Sequence, residues 1–186
     1  HFPPADEIPR AGRPTIATIF ALAETGRPAL RGDLTPISLE LQAGVIPVDV
    51  YAEGGRVQRV VMTQLPPRFL RTYEPADVLP AFGLSPDDAL PGVPIQTVST
   101  GTPQLFAPLR DHGALRRVVA DPVALARLKA QGDFFSLHLF CLGGATPGGH
   151  TFARHFAPPP DLFEDPFTGS ATGGMAAFLW RYGLLD

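Results

Sequence analysis

Two segments of this chain read as helices with almost no polar face, and few folds can house such a helix. Pro14 to Glu24 runs Pro-Thr-Ile-Ala-Thr-Ile-Phe-Ala-Leu-Ala-Glu, with proline in the first turn and Gly26 just beyond the end as a stop. Gly169 to Tyr182 sets Met175, Phe178, Leu179 and Tyr182 at i, i+3, i+4 and i+7 and is again mostly apolar. A helix apolar nearly all round needs neighbours on every side. Both are therefore expected to be core helices enclosed by other structure.

Strand patterns stand between them. Ile37 to Leu41 and Val45 to Tyr51 are short strand-like runs, and Glu53-Gly54-Gly55-Arg56 turns into Val57 to Gln64, which predicts an antiparallel meander. Leu65-Pro66-Pro67 breaks the pattern, because proline lacks the N–H that a central strand requires. A lobe boundary is placed there, separating residues 1–65 from 66–186. Helical patches follow at Pro75 to Phe82, Pro86 to Leu90 and Pro122 to Gln131. Further strands are expected at Ile95 to Thr100, Gln104 to Leu109, Phe134 to Leu142 and His150 to Phe156.

The two apolar helices also begin alike. Ala11-Gly12-Arg13-Pro14-Thr15 leads into the first and Thr168-Gly169-Ser170-Ala171-Thr172 into the second. Small residues at a helix start let a ligand approach the backbone N–H groups, where the helix dipole favours an anion. Either start alone is better explained by turn geometry. Their repetition suggests an internal duplication, in which two helix ends could face each other across a cleft and grip one anionic ligand.

Bulk properties agree with a small-molecule partner. A chain of 186 residues, 45% hydrophobic, can build one sizeable domain or two small lobes, and 19 glycines and 22 prolines call for many tight turns. The net charge of −3 comes from signs mixed along the chain, which indicates neither a nucleic-acid groove nor a polybasic membrane patch. No apolar run approaches the roughly 20 residues of a membrane span, and no basic start precedes an apolar stretch as in a signal peptide. Cys141 is the single cysteine, so an intramolecular disulfide and a thiolate metal cluster are excluded. Its apolar surroundings predict a buried, inert thiol, and a reducing, cytoplasmic setting fits. His112, His138, His150 and His155 show no metal-ligand spacing, and no metal site is expected. The chain starts at His1 and stops at Asp186, directly after a helical pattern, so both ends look cut.

Ile8-Pro9-Arg10-Ala11-Gly12-Arg13-Pro14-Thr15 and Glu164-Asp165-Pro166-Phe167-Thr168-Gly169-Ser170-Ala171 resemble the two signature segments of the PhzF-like proteins of phenazine biosynthesis. Between them, Ala43 to Val48, Val98 to Pro103 and Arg154 to Pro158 sit in that family's order and approximate spacing. The resemblance implies an α+β, diaminopimelate-epimerase-like fold. Two pseudo-symmetric lobes of antiparallel strands would each wrap a central helix, with the remainder of the N-terminal lobe in 1–65 and an incomplete C-terminal lobe in 66–186. It also implies a homodimeric isomerase that moves a proton on a small carboxylate-bearing substrate in the cleft between the lobes, without metal or organic cofactor.

On that reading Asp165 is the catalytic candidate. It lies just before the second helix, where positive backbone dipoles favour its ionised form, and it could orient a substrate amine or hydroxyl or relay a proton. The alternative is that it only caps the turn, through the Thr168 or Gly169 amides. Gly169 and Ser170 would offer N–H groups and a hydroxyl to a substrate carboxylate, and Gly12 and Arg13 would form the second anion clamp. Arg13 stands where the family usually has histidine, so it would bind a carboxylate rather than exchange a proton. The family's main acid/base glutamate belongs to a segment upstream of the first signature, and only eleven residues precede Gly12 here.

Other chemistries fit less well. Racemases of the same fold use paired cysteines, which one Cys141 cannot supply. No Gly-x-Ser-x-Gly elbow supports a hydrolase. A protein that keeps the fold and the anion cleft but transfers no proton remains the second reading, motivated by Arg13 and the missing glutamate.

Overall fold

A computed structural model describes residues 12–27, 29–41, 44–158 and 164–185. Ile8 to Ala11 of the first signature, and Ala43, lie outside the described residues. The chain divides into two compact units, His1–Leu65 and Pro66–Asp186.

In the first unit, helix α1 (Gly12–Glu24) precedes strands β1 (Leu34–Leu41), β2 (Gly44–Glu53) and β3 (Arg56–Met62), which pair antiparallel in that order. The turn from β2 to β3 sets Gly54 and Gly55 at φ of 57° and 78°, the left-handed pair that a two-residue hairpin needs. Along β2, Ile46, Val48, Val50 and Ala52 are buried while Val45 and Pro47 are exposed, the alternation of a sheet with one covered face. That face receives Ile19 of α1 together with Val60 and Met62 of β3. The helix ends where Gly26 adopts a φ of 76° and the Arg27 N–H reaches back to the Leu22 carbonyl at 2.8 Å.

α1 is only partly enclosed. Only Thr15, Ile19 and Ala23 are buried, and Leu22 is 42% exposed. The strands cover one side of the helix, where Ile16 and Phe20 also pack half-buried, and leave Ala17, Ala21 and Leu22 outward.

The second unit holds a six-stranded sheet in the order β4-β5-β6-β7-β8-β9: β4 (Arg68–Tyr73), β5 (Ile95–Ser99), β6 (Pro103–Pro108), β7 (Ser136–Leu142), β8 (Thr151–Phe156) and β9 (Glu164–Asp165). Helices α2 (Pro75–Val78), α3 (His112–Arg117) and α4 (Pro122–Gln131) precede β7, and α5 (Gly169–Arg181) follows β9. The expectation of purely antiparallel strands is corrected here: β6 and β7 run parallel. α3 and α4 form the crossover between them, and a parallel pair requires such a connection.

Both faces of this sheet are covered. On one, Leu105, Leu137, Leu139 and Cys141 meet Val78, Phe82, Leu115 and Leu125. On the other, Val98, Phe106 and Phe140 meet Met175, Phe178 and Leu179 of α5. That double burial explains why β7 reads as a nearly continuous apolar run. It also pushes the Cys141 thiol's pKa up, as an inert thiol requires.

α5 lies on the sheet rather than inside it, with Trp180 77% exposed. Its approach is close at Gly174, where an added Cβ would come within 2.7 Å of Phe106 Cζ.

Candidate active site

The side chains around the start of α5 follow from strand register. Residues directly opposite each other in neighbouring strands put their side chains on the same face. Gln104 pairs with Ser136, Phe106 with His138, His138 with His155, and His155 with Asp165. A band of polar groups therefore crosses the α5 side of the sheet from β6 to β9, interrupted by apolar Phe106. Gln104, Ser136, His138 and His155 in this band are all buried.

Asp165 sits at the outer end of the band on β9, a strand of two residues. Its Oδ1 accepts the Phe167 N–H at 3.2 Å and its Oδ2 accepts the Thr168 hydroxyl at 2.6 Å. Asp165 therefore does shape the turn, through Phe167 and Thr168 Oγ1 rather than through the Thr168 or Gly169 amides. The Thr168 hydroxyl is thereby committed to Asp165. Thr168 is the N-cap residue of α5 yet makes no side-chain cap, so its hydroxyl does not quench the positive end of the helix.

Gly169 and Ser170 form the first turn of that helix, both half-buried. The Ser170 hydroxyl accepts a hydrogen bond from Gln104 Nε2 at 3.1 Å, which fixes it from below by a buried amide of β6. An Asp carboxylate, a serine hydroxyl and a helix N-terminus thus lie within six residues of chain, an arrangement suited to a carboxylate and to an amine or hydroxyl beside it.

The neighbouring strand is held from its opposite face. Arg154 of β8 grips Glu164 through two bonds, Nε to Oε1 at 2.8 Å and Nη2 to Oε2 at 2.9 Å. Its Nη1 donates to the carbonyls of Leu115 and Val118 at the end of α3. The guanidinium holds the Glu164 carboxyl below its ordinary pKa.

Beneath Asp165, His138 and His155 meet Nδ1 to Nδ1 at 3.2 Å. Burial pushes His138 down to about 3, helped by its neighbour His155. Burial likewise pushes His155 down to about 4, against the pull of the Asp165 charge. Both rings are neutral near pH 7.

Of the residues predicted from sequence, Asp165, Gly169 and Ser170 come together in the second unit. Gly12 and Arg13 open α1 in the first unit. A Cβ on Gly12 would lie 3.4 Å from Met62 Cε, and Arg13 is solvent-facing. Gln104, His138 and His155 were not singled out for the site. The available signal was a polar residue at a face position of an otherwise apolar strand, which needs the register to interpret. Among the described residues, no group of three or more His, Cys, Asp or Glu side chains could hold a metal ion.

Residues 1–186 match the family model PhzC-PhzF, described as phenazine biosynthesis-like protein. The chain belongs to that family. It is 30% identical over 185 residues to the uncharacterized isomerase YfhB of Bacillus subtilis (strain 168), covering 98% of this chain and 62% of the relative. It is 33% identical over 182 residues to the trans-2,3-dihydro-3-hydroxyanthranilate isomerase of Pseudomonas aeruginosa, covering 97% and 59%. The crystal structure of a PhzF-family phenazine biosynthesis protein from Bacillus anthracis superposes with a TM-score of 0.80 at 27% identity, covering 96% of this chain and 59% of that one. The family's α+β, diaminopimelate-epimerase-like fold thus applies, and the chain spans about three-fifths of the length of the relatives it matches.

Proposed function

We propose that this chain carries part of the active site of a PhzF-like isomerase that moves a proton on a small carboxylate-bearing molecule without a cofactor. The observation that carries the reading is the turn at Asp165, whose carboxylate draws the Thr168 hydroxyl away from the N-terminus of α5 and leaves Gly169 and Ser170 to receive an anion. The isomerase names of family relatives at about 30% identity support the reaction class.

In this reading the substrate carboxylate is bound by the Gly169 and Ser170 N–H groups and the Ser170 hydroxyl. Asp165 orients the neighbouring amine or hydroxyl, or relays a proton. One proton leaves a carbon next to an activating group and one returns at another position, so the product has the substrate's composition. Gly12 and Arg13 form the second clamp, from a lobe related to the first by pseudo-symmetry, with the substrate in the cleft between them. A homodimer in the cytoplasm completes the proposal.

The test uses the full-length protein in deuterated water with trans-2,3-dihydro-3-hydroxyanthranilate and a panel of small amino and hydroxy acids. Deuterium entering a carbon position, and its loss by at least about 100-fold in Asp165→Asn, is the expected result. No exchange on any member of the panel would count against it. That result, combined with measurable binding of a panel acid that Arg13→Ala abolishes, would favour the second reading, a non-catalytic anion binder. Arg13 supports this alternative, being a residue that stays charged rather than exchanging a proton.

A further inference from the structure

Gln104 stands at the β6 end of the polar band and is 2% exposed. Burying an amide is costly unless it is hydrogen-bonded, so its partner is informative. Two residues of strand and four of helix both advance about 6 Å, which keeps β6 and α5 in step. Phe106 therefore lies under Gly174, and Gln104 lies under Ser170, one turn nearer the helix start.

The direction of this hydrogen bond carries the argument. Gln104 Nε2 donates to Ser170 Oγ at 3.1 Å, while its Oε1 is turned toward Gly174, 3.8 Å from where a Cβ would stand there. Ser136, directly opposite Gln104 on β7 and also buried, has a hydroxyl with no hydrogen-bond partner among the described residues, so it does not draw the amide away. A serine hydroxyl has one proton and two lone pairs. One lone pair is held by Gln104, and the proton meets no acceptor among the described residues.

We infer that Gln104 is a positioning residue: by donating to Ser170 Oγ it commits the hydroxyl to donate in turn to the ligand, so that the start of α5 favours a carboxylate oxygen. The inference deepens the reading of Ser170 as a carboxylate ligand and rests on it. A hydroxyl that accepts from an amide is also the better donor, because the two bonds polarise each other. Thr168 cannot take this part, since its own hydroxyl is given to Asp165.

The test uses the full-length protein with trans-2,3-dihydro-3-hydroxyanthranilate and the same panel of acids, reading KM apart from kcat, or the calorimetric Kd where there is no turnover. Gln104→Met is similar in volume and removes the donor. It should raise KM or Kd about 10-fold and leave kcat within about 2-fold, the mark of binding lost equally from ground and transition states. Added to Ser170→Ala it should change nothing further, because the amide acts through that hydroxyl. Gln104→Glu places an acceptor in the same position. Ionised, the introduced carboxyl takes the Ser170 proton and should weaken binding about 100-fold at pH 8; protonated, it can donate as the amide did, so binding should recover toward pH 5, each value being taken relative to the unaltered protein at that pH.

Unchanged affinity in Gln104→Met, full additivity with Ser170→Ala, or a Gln104→Glu deficit equal at both pH values would overturn the inference, whatever the deuterium exchange shows. Should the variants fail to fold, proton–nitrogen NMR of the Gln104 side-chain amide in the unaltered protein decides. A bound acid should move its bonded proton downfield, and an amide signal that does not respond would overturn the inference. Failure to bind any acid of the panel would overturn it together with the carboxylate reading. If the affinity pattern appears without deuterium exchange, the positioning role stands and the isomerase reading falls.

Discussion

Arg154 holds Glu164 by two parallel hydrogen bonds at 2.8 and 2.9 Å, and this pair clamps a strand only two residues long. The next residue on that strand is Asp165, which faces the other way. One residue of β9 therefore anchors while its neighbour is presented.

Glu164→Gln should loosen the clamp at a modest cost, about 0.5–1 kcal/mol, because the pair is partly solvent-exposed. The pH dependence carries the sign. Glu164's folded pKa is below its ordinary value of 4.5, so its contribution is present above that pH and is lost as pH falls through the folded value. Urea titrations of the protein and of Glu164→Gln should show a stability gap that holds from pH 7 to 5 and closes below about 4.5. A gap independent of pH would contradict the ion-pair account.

The buried histidines predict a separate acid response. Each is neutral in the fold, with pKa values pushed to about 3 and about 4 from an ordinary 6.5. Unfolding in that range takes up protons, so stability is unaffected above about pH 6.5 and declines as pH drops toward 4. His138→Leu removes one of these groups and should flatten the decline between pH 6.5 and 4, measured as the slope of unfolding free energy against pH. An unchanged slope would show that His138 is already protonated in the fold.

Asp133 ties the loop before β7 to β4 and β5. It accepts the Thr97 hydroxyl at 2.6 Å, the Tyr73 hydroxyl at 2.7 Å and the Arg71 N–H at 3.1 Å. Burial pulls its pKa up, but those three donors outweigh burial and hold it below its ordinary value of 3.8. Asp133→Asn should lower stability by about 1–2 kcal/mol near neutral pH, since it disturbs the partners of buried Thr97 and Tyr73. The difference should shrink below about pH 3.8, as protonation weakens the same acceptor in the unaltered protein. Thermal melts at pH 7 and pH 3 would measure both parts.

Gly174 lets α5 approach β6, and a methyl group there would collide with Phe106. Gly174→Ala should cost about 1–3 kcal/mol despite alanine's better helix propensity. Adding Phe106→Leu should recover part of the loss, because the two changes share one contact. Fully additive effects in the double variant would place the strain elsewhere.

The elements readable from sequence are those whose local chemistry and tertiary role agree. The β2–β3 hairpin carries its turn glycines and its alternation together, and β7 carries the apolar run of a strand buried on both faces. β4 went unassigned because it is an edge strand with Arg68, Arg71 and Thr72 exposed, directly after two prolines. α3 was missed because it is a single short segment, whose cap by Asp111 on the Ala114 N–H appears only in three dimensions.

The site divides in the same way. Asp165, Gly169 and Ser170 could be picked out because they are contiguous with a helix start, which is a local pattern. His138, His155 and Gln104 lie far apart in the chain and share a face only through register, so no window of sequence contains them together. The partial exposure of α1 and α5 has a different reason: apolar composition shows what a helix can bury, and not how many neighbours reach it.

The parallel pairing of β6 with β7 also governs the order in which the site can assemble. β4-β5-β6 and β7-β8-β9 each join strands that run antiparallel, whereas the seam between them closes only after α3 and α4 have been laid across. Such long-range closure is the slow kind of event in folding. Gln104, which fixes Ser170, lies on one side of that seam, and His155 and Asp165 lie on the other. The Ser170 hydroxyl therefore takes the position that Gln104 fixes only once the seam has closed, and a chain stalled before then would hold Asp165 in its turn without the anchored hydroxyl beside it.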